Sequence, residues 1–275
     1  MDRKSLEQYL AARSADGLLT LEDAGEAAER ALLPLRNIEE IALLMGILPK
    51  RFERNRSLLS VEDQVRLFRS SVAIAGCGGL GGHIAEQLGR CGVGRLICID
   101  PDTFAEHNLN RQRFCTLKSL GHEKARVVAE EMANINPSTV VQPYIERLCS
   151  TNAGRLLEGV SAVVDALDSF DARRELAESC RALGLPLVHG AIGGWYGQIA
   201  VQSEGRDTLA QWFTSVSVKT GIEQSLGNPA FTPAAIAALQ VAETIKILLG
   251  RHDACRERLL ICDLERMSFE QVRLG

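Results

Sequence analysis

Residues 71–100 constrain the fold more tightly than any other stretch of this chain. SVAIAG is followed by CGGLGG, then HIAEQLGRCG, then RLICID. A short apolar run, a glycine turn, an amphipathic segment and a second apolar run together read as a strand–turn–helix–strand unit. The strands are apolar at successive rather than alternate positions, so both faces are buried and the sheet they enter is parallel, with helices on each side. Further units repeat the pattern: a helix near HEKARVVAEEMANI, strands at TVVQPY and SAVVDA, a helix near ARRELAESCRALG and a strand at PLVHGA. The expected fold class is α/β, a doubly wound, Rossmann-like open sheet with a mostly parallel nucleotide-binding half. The terminal segments LLICDL and SFEQVRL are expected to close it as antiparallel strands. Residues from about 203 to 230 are polar and irregular, and read as a crossover connection before a helix at TPAAIAALQVAETIKILLG.

Ahead of this domain, expected at 51–275, residues 1–50 read as a helical N-terminal extension. Thr20 and Asp23 form a capping pair before LEDAGEAAERALL, and Asn37 is placed to cap IEEIALLMGI. The extension carries no nucleotide motif, and either covers the main domain or a second subunit, or offers a partner surface.

With 31 basic against 35 acidic residues, the net charge of −4 gives no overall footprint for nucleic acid, so a nucleic-acid partner is not expected. Apolar residues make up 46% of the chain, the composition of a globular protein, and no uninterrupted apolar run approaches the ~18 residues of a membrane helix. No membrane association is therefore expected. The N-terminus mixes both charge signs and lacks the apolar core of a signal peptide, which points to the cytoplasm. Eight cysteines are scattered without a Cys-x-x-Cys pair, and read mainly as small core residues.

Gly76, Gly78 and Gly81 form a G-x-G-x-x-G between strand and helix, where glycine permits a tight turn and brings backbone N–H groups up to phosphate. Asp100 ends the next strand, where a carboxylate can accept from ribose hydroxyls. Alone, this fingerprint suits NAD better than ATP. HNLNRQ at 107–112 then supplies Asn108, Asn110, Arg111 and Gln112 in one stretch, with Lys124 near the start of a helix. Such a cluster suits a polyphosphate, although a solvated surface cluster would have the same composition; fixed cations can accelerate phosphoryl transfer by on the order of a thousandfold. In VVDALDSF, Asp165 and Asp168 end a buried strand, the edge at which open α/β sheets bind ligands. Asp168 is placed to hold Mg²⁺ or to cap the next helix, and Asp165 to serve as a cap or turn residue.

These motifs, in order from about Arg51 onward, resemble the ThiF/MoeB/HesA adenylyltransferases, relatives of the ubiquitin-activating enzymes. The matching segments are RFERN, AGCGGLGG, CGVGRLICIDPDT, HNLNRQRF, GHEKA, NINP, VVDALDS, PLVHGAIGGWYGQI and TIKILLG. The resemblance implies that Mg-ATP is attacked at its α-phosphate by a substrate carboxylate, pyrophosphate leaves, and an acyl-adenylate remains. It implies that Gly79 and its loop contact the nucleotide, Asp100 holds the ribose, Asn110, Arg111, Gln112 and Lys124 bind phosphates, and Asp168 binds Mg²⁺. Arg54, with Arg51 a weaker candidate, matches an arginine contributed across a two-fold interface, which implies a homodimer. The implied partner is a small ubiquitin-fold sulfur carrier ending in Gly-Gly.

Several family features are missing. Without two Cys-x-x-Cys pairs, no structural zinc is expected. Residues 203–254 hold no cysteine for thioester or persulfide chemistry, so the reaction is expected to stop at the adenylate unless Cys255 or a partner's cysteine acts later. The Asp-Asn pair common at the metal site is Asp168-Ser169 here. A peptide, tRNA-linked or small-molecule carboxylate, or a catalytically silent dimeric scaffold, remain the alternatives.

Overall fold

The computed structural model describes residues 1–215, 226–251, 256 and 258–274. Cys255 and most of the second half of the expected crossover lie outside them. The main domain is built on an eight-stranded sheet in the order β10-β9-β8-β7-β6-β3-β4-β5. Its parallel half comprises β3 (Ser71–Ala75), β4 (Arg95–Ile99), β5 (Val140–Tyr144), β6 (Ala162–Asp165) and β7 (Leu187–Gly193). β8 (Tyr196–Gln202), β9 (Arg258–Asp263) and β10 (Ser268–Arg273) continue it antiparallel. β5 contains Pro143 and lies at the sheet edge, where a missing N–H costs no ladder bond.

Alternate residues of β3 divide the core. Val72 and Ile74 join one apolar cluster with Leu80, Ile84 and Leu88 of helix α5 (Gly79–Arg90), Val128 of α6 (Lys124–Ile135) and Ile236 of α10 (Phe231–Leu248). Ala73 and Ala75 join the opposite cluster with Leu156 of α7 (Ala153–Leu156), Leu176 of α8 (Phe170–Leu183) and Leu209 of α9 (Thr208–Ser215). Both faces are therefore covered, as the successive apolar positions require. Chain order reverses at β3, with β4 on one side and β6 on the other, which opens a crevice at their carboxyl ends.

α10 is long and apolar enough to cross a membrane, but its Thr232, Ile236, Gln240 and Thr244 are fully buried, and Gln240 donates to the carbonyls of Asp165 and Val188. That face is committed to the sheet.

The first fifty residues form α1 (Arg3–Arg13), α2 (Leu21–Ala31) and α3 (Leu35–Leu44), with the two-residue strands β1 (Leu18–Leu19) and β2 (Leu48–Pro49) paired parallel. They enclose a core of their own around Leu6, Leu10, Leu19, Ala27 and Ile38. Thr20 caps α2 through the N–H of Asp23, as its sequence position requires. Asn37 does not cap α3: Pro34 starts the helix, its carbonyl accepting from the N–H of Asn37 at 2.9 Å, so Asn37 falls inside the first turn. Proline's fixed φ favours the start of a helix and moves the boundary back. Arg36 of α3 ties the extension to the domain, donating to the carbonyls of Gly94, Ser138 and Phe68 at 2.6, 2.7 and 3.0 Å.

Candidate active site

A cavity of about 530 Å³ opens at the carboxyl ends of β3, β4 and β6, lined by the glycine turn, Asp100, Arg111, Gln112, Lys124 and Asp168 among others. The chain leaves β3 through Gly76 at φ +95°, and a Cβ there would stand 2.6 Å from the Ala166 carbonyl oxygen. At Gly81 a Cβ would stand 1.8 Å from the Gly76 carbonyl oxygen. Both positions need glycine, one for left-handed backbone and close approach, the other for close approach alone. α5 then begins after Gly78 with no side-chain cap. Its uncapped first-turn N–H groups and the positive end of its dipole form a cradle for an anion.

Asp100 is 5% exposed, and its carboxylate organises the turn: Oδ2 accepts from the Cys77 N–H at 2.7 Å and Oδ1 from the Asp102 N–H at 2.8 Å. Burial pushes its carboxyl above the usual range, opposed by those two N–H donors and by Lys124. Lys124 opens α6, its own side chain buried, with Nζ 3.0 Å from Asp102 Oδ2, while the Asp102 carboxylate is largely exposed. Arg111 packs beside the turn, with Nε 3.9 Å from where a Gly79 Cβ would lie. Its Nη1 donates to the carbonyl of His107 and to Asn110 Oδ1. Gln112 is buried against Gly78, and its Oε1 has no hydrogen-bond partner.

Asp168 is exposed on the cavity wall. The helix cap that Asp168 was a candidate for belongs to Ser169, whose Oγ accepts from the Ala172 N–H, so the Asp168 carboxylate is not consumed by α8. Asp165 is a turn residue: its Oδ1 accepts from the Leu167 N–H at 2.9 Å.

Four of the expected residues, Asn108, Asn110, Gly81 and Arg54, and the weaker candidate Arg51 do not line the cavity. Asn108 is buried and its Oδ1 accepts from the Ala105 N–H, closing the turn ahead of Arg111. Asn110 donates to the Asn228 carbonyl. Gly81 lies behind the turn, acting through Gly76. Arg54 is exposed on the 3₁₀ turn Lys50–Asn55, outside the cavity. Arg51 is taken by an ion pair with the buried Glu39.

Sequence reasoning missed a buried group beneath the Asp168 loop. His189, on β7, lies with Nδ1 2.6 Å from Asp165 Oδ2 and Nε2 3.2 Å from Gln198 Nε2. Arg173 of α8 donates to the Leu167 carbonyl at 2.6 Å. Burial holds the His189 imidazole pKa below its usual value despite the neighbouring carboxylate. The signal available was an aspartate and a histidine at equivalent places on two apolar strands.

A family model described as the ThiF family matches residues 52–275. The chain belongs to the ThiF family. Its class is that of the adenylyltransferases. This ThiF-family chain is 33% identical over 213 residues to the SAMP-activating enzyme E1 of Haloferax volcanii, covering 77% of this chain and 79% of that protein. It is 33% identical over 232 residues to the sulfur carrier protein adenylyltransferase of Thermus thermophilus, covering 81% and 86%. Against the adenylyltransferase and sulfurtransferase MOCS3 of Arabidopsis thaliana it is 33% identical over 238 residues, but spans only 51% of that protein. Among solved structures, Escherichia coli MccB with AMPCPP and MccA superposes with a TM-score of 0.70 at 19% identity, covering 98% of this chain and 87% of that one. The E. coli tRNA N6-threonylcarbamoyladenosine dehydratase TcdA gives 0.63 at 24%, covering 74% and 95%. At such identities the structural likenesses speak for the fold alone.

Proposed function

We propose that this ThiF-family protein uses Mg-ATP to adenylate the C-terminal carboxylate of a small ubiquitin-like sulfur-carrier protein. A carboxylate oxygen of the carrier attacks the α-phosphorus, the bond from that phosphorus to the bridging oxygen breaks, and pyrophosphate leaves with the electron pair. The observation that carries the reading is the convergence of the uncapped helix start, Arg111, Lys124 and Asp168 on one cavity, in a chain whose relatives include carrier adenylyltransferases.

The residues fit a bound nucleotide. The space a Cβ would take at Gly76 and Gly81 is filled by the Ala166 and Gly76 carbonyls, so only glycine allows the tight turn beside the cavity, and the buried Oε1 of Gln112 has no partner inside the protein. Asp100 holds the turn through Cys77 and keeps lone pairs for ribose hydroxyls. Lys124 exchanges its exposed partner Asp102 for phosphate oxygens, and Arg111, held by His107 and Asn110, places a fixed cation beside the turn. Neither forms a covalent bond; each favours charge that grows on the phosphates as the bridging bond breaks. Asp168 supplies the protein carboxylate for Mg²⁺, which when bound neutralises phosphate charge; one carboxylate plus substrate phosphates is a usual ligand set for this ion. Arg54 completes the site of a second subunit in a homodimer.

ATP–pyrophosphate exchange with and without small carriers ending in Gly-Gly tests this reading. Exchange that requires both carrier and Mg²⁺ and falls by orders of magnitude in Asp168→Ala is expected. ATP binding without exchange for any carrier would contradict it.

A further inference from the structure

The Asp168 loop is held from below by a group of buried side chains with no role in the chemistry above. Leu167, next to Asp168, is clamped at both backbone ends: Asp165 Oδ1 accepts from its N–H at 2.9 Å, and Arg173 Nη2 donates to its carbonyl at 2.6 Å. The clamp works only while the Asp165 carboxylate keeps one orientation. Asp165 Oδ2 has two cationic or donor neighbours: His189 Nδ1 at 2.6 Å and Arg173 Nε at 3.8 Å, the latter buried without a hydrogen-bond partner. Without the histidine, the carboxylate is free to rotate toward that unsatisfied guanidinium nitrogen and away from Leu167.

A carboxylate oxygen only accepts, so His189 Nδ1 carries the hydrogen, and the neutral ring leaves Nε2 to accept from the amide of Gln198. The rings of Phe213 and Trp212, with centroids 5.1 and 5.8 Å away, close the remaining sides. His189 is fully buried, so it meets no substrate.

We propose that His189 is a positioning residue: it fixes the rotamer of Asp165, which through the Leu167 N–H sets where Asp168 presents its carboxylate to the cavity. The effect on metal-bound nucleotide rests on the reading of Asp168 given above; the effect on the loop does not.

Amide hydrogen exchange and ATP titration across a Mg²⁺ series, both on the full chain without acceptor, test this. His189→Leu should speed exchange of the Leu167 amide by roughly tenfold or more, the loss of one charge-assisted hydrogen bond, relative to β3 amides that report global stability. It should also raise the Mg²⁺ needed for half-maximal ATP binding several-fold. His189→Asn keeps an N–H near the Nδ1 position, and should restore both readouts to within about twofold of wild type. Unchanged Leu167 protection in His189→Leu would overturn the proposal. So would an unchanged Mg²⁺ requirement in His189→Leu when Asp168→Ala raises it. If Asp168→Ala also leaves the requirement unchanged, the metal reading of Asp168 fails, and the Leu167 amide alone decides whether His189 positions the loop.

Discussion

Replacing Gly81 with alanine separates two effects that a glycine-to-alanine change usually mixes. Gly81 is helical, so alanine costs nothing in backbone conformation there and improves helix propensity. Its new Cβ, however, would lie 1.8 Å from the Gly76 carbonyl oxygen and 3.4 Å from Ile74 Cγ2. Backbone and methyl must separate by about 1.5 Å to reach ordinary contact. Gly76 cannot simply retreat, because it is packed so closely on the Asp168 loop that a Cβ on it would stand 2.6 Å from the Ala166 carbonyl oxygen. Overpacking of this kind costs about 1–3 kcal/mol, and a displacement near 1 Å at a reacting group costs about a hundredfold in rate. Gly81→Ala should therefore lower the melting temperature by several degrees and lower kcat/KM for ATP in pyrophosphate exchange by about two orders of magnitude. Gly25→Ala is the control: it lies inside α2, nothing lies within 4 Å of where its Cβ would stand, and it should gain about 0.5–1 kcal/mol with unchanged exchange. Wild-type exchange and melting in Gly81→Ala would refute the close-approach argument.

Arg36→Ala removes three carbonyl contacts between the extension and the domain, and should cost about 2 kcal/mol or more in urea denaturation; an unchanged midpoint would mean the extension is held by other contacts. Glu86, hydrogen-bonded to Arg113 and Arg90, has its carboxyl held below the usual range chiefly by Arg113. Its stabilisation is complete above the ordinary glutamate value and is lost as pH falls through the lower folded value. Glu86→Gln should therefore lower the melting temperature at neutral pH, with the difference from wild type shrinking toward acid; a difference that grows toward acid would contradict the assignment. If Arg54 completes a partner's site, mixing Arg54→Ala with Asp168→Ala subunits should restore part of the exchange activity, and proven subunit exchange without rescue would place each site within one chain.

The sheet was legible because β3, β4 and β6 each carry successive apolar residues, Val72–Ala75, Leu96–Ile99 and Ala162–Val164, bounded by turn signals, the pattern of strands covered on both faces. β8 was not read as a strand: YGQIAVQ follows Gly193 and Gly194 and carries two glutamines, whose buried member, Gln202, is satisfied by the Ala177 carbonyl, distant in the sequence, and the Leu209 N–H of α9, a helix in a stretch that reads as irregular. The site was legible where a residue's type follows from its own backbone, as at Gly76, Gly81 and Asp100. It was less so where a side chain's use depends on tertiary neighbours. Asn108 and Asn110 belong to a polar run whose composition fits phosphate, yet their side chains are occupied by Ala105, Asn228 and Arg111. His189 was passed over because its partner is a strand away and no local spacing marks the pair.

Intact-mass spectrometry of a Gly-Gly-ending carrier incubated with this protein, ATP, Mg²⁺ and pyrophosphatase tests the central claim most directly. The account predicts a carrier heavier by one adenylyl group, absent when the terminal glycine is deleted or when Asp168→Ala replaces the wild-type protein. ATP consumption with every carrier left at its starting mass, under conditions where a known acyl-adenylate survives, would contradict it.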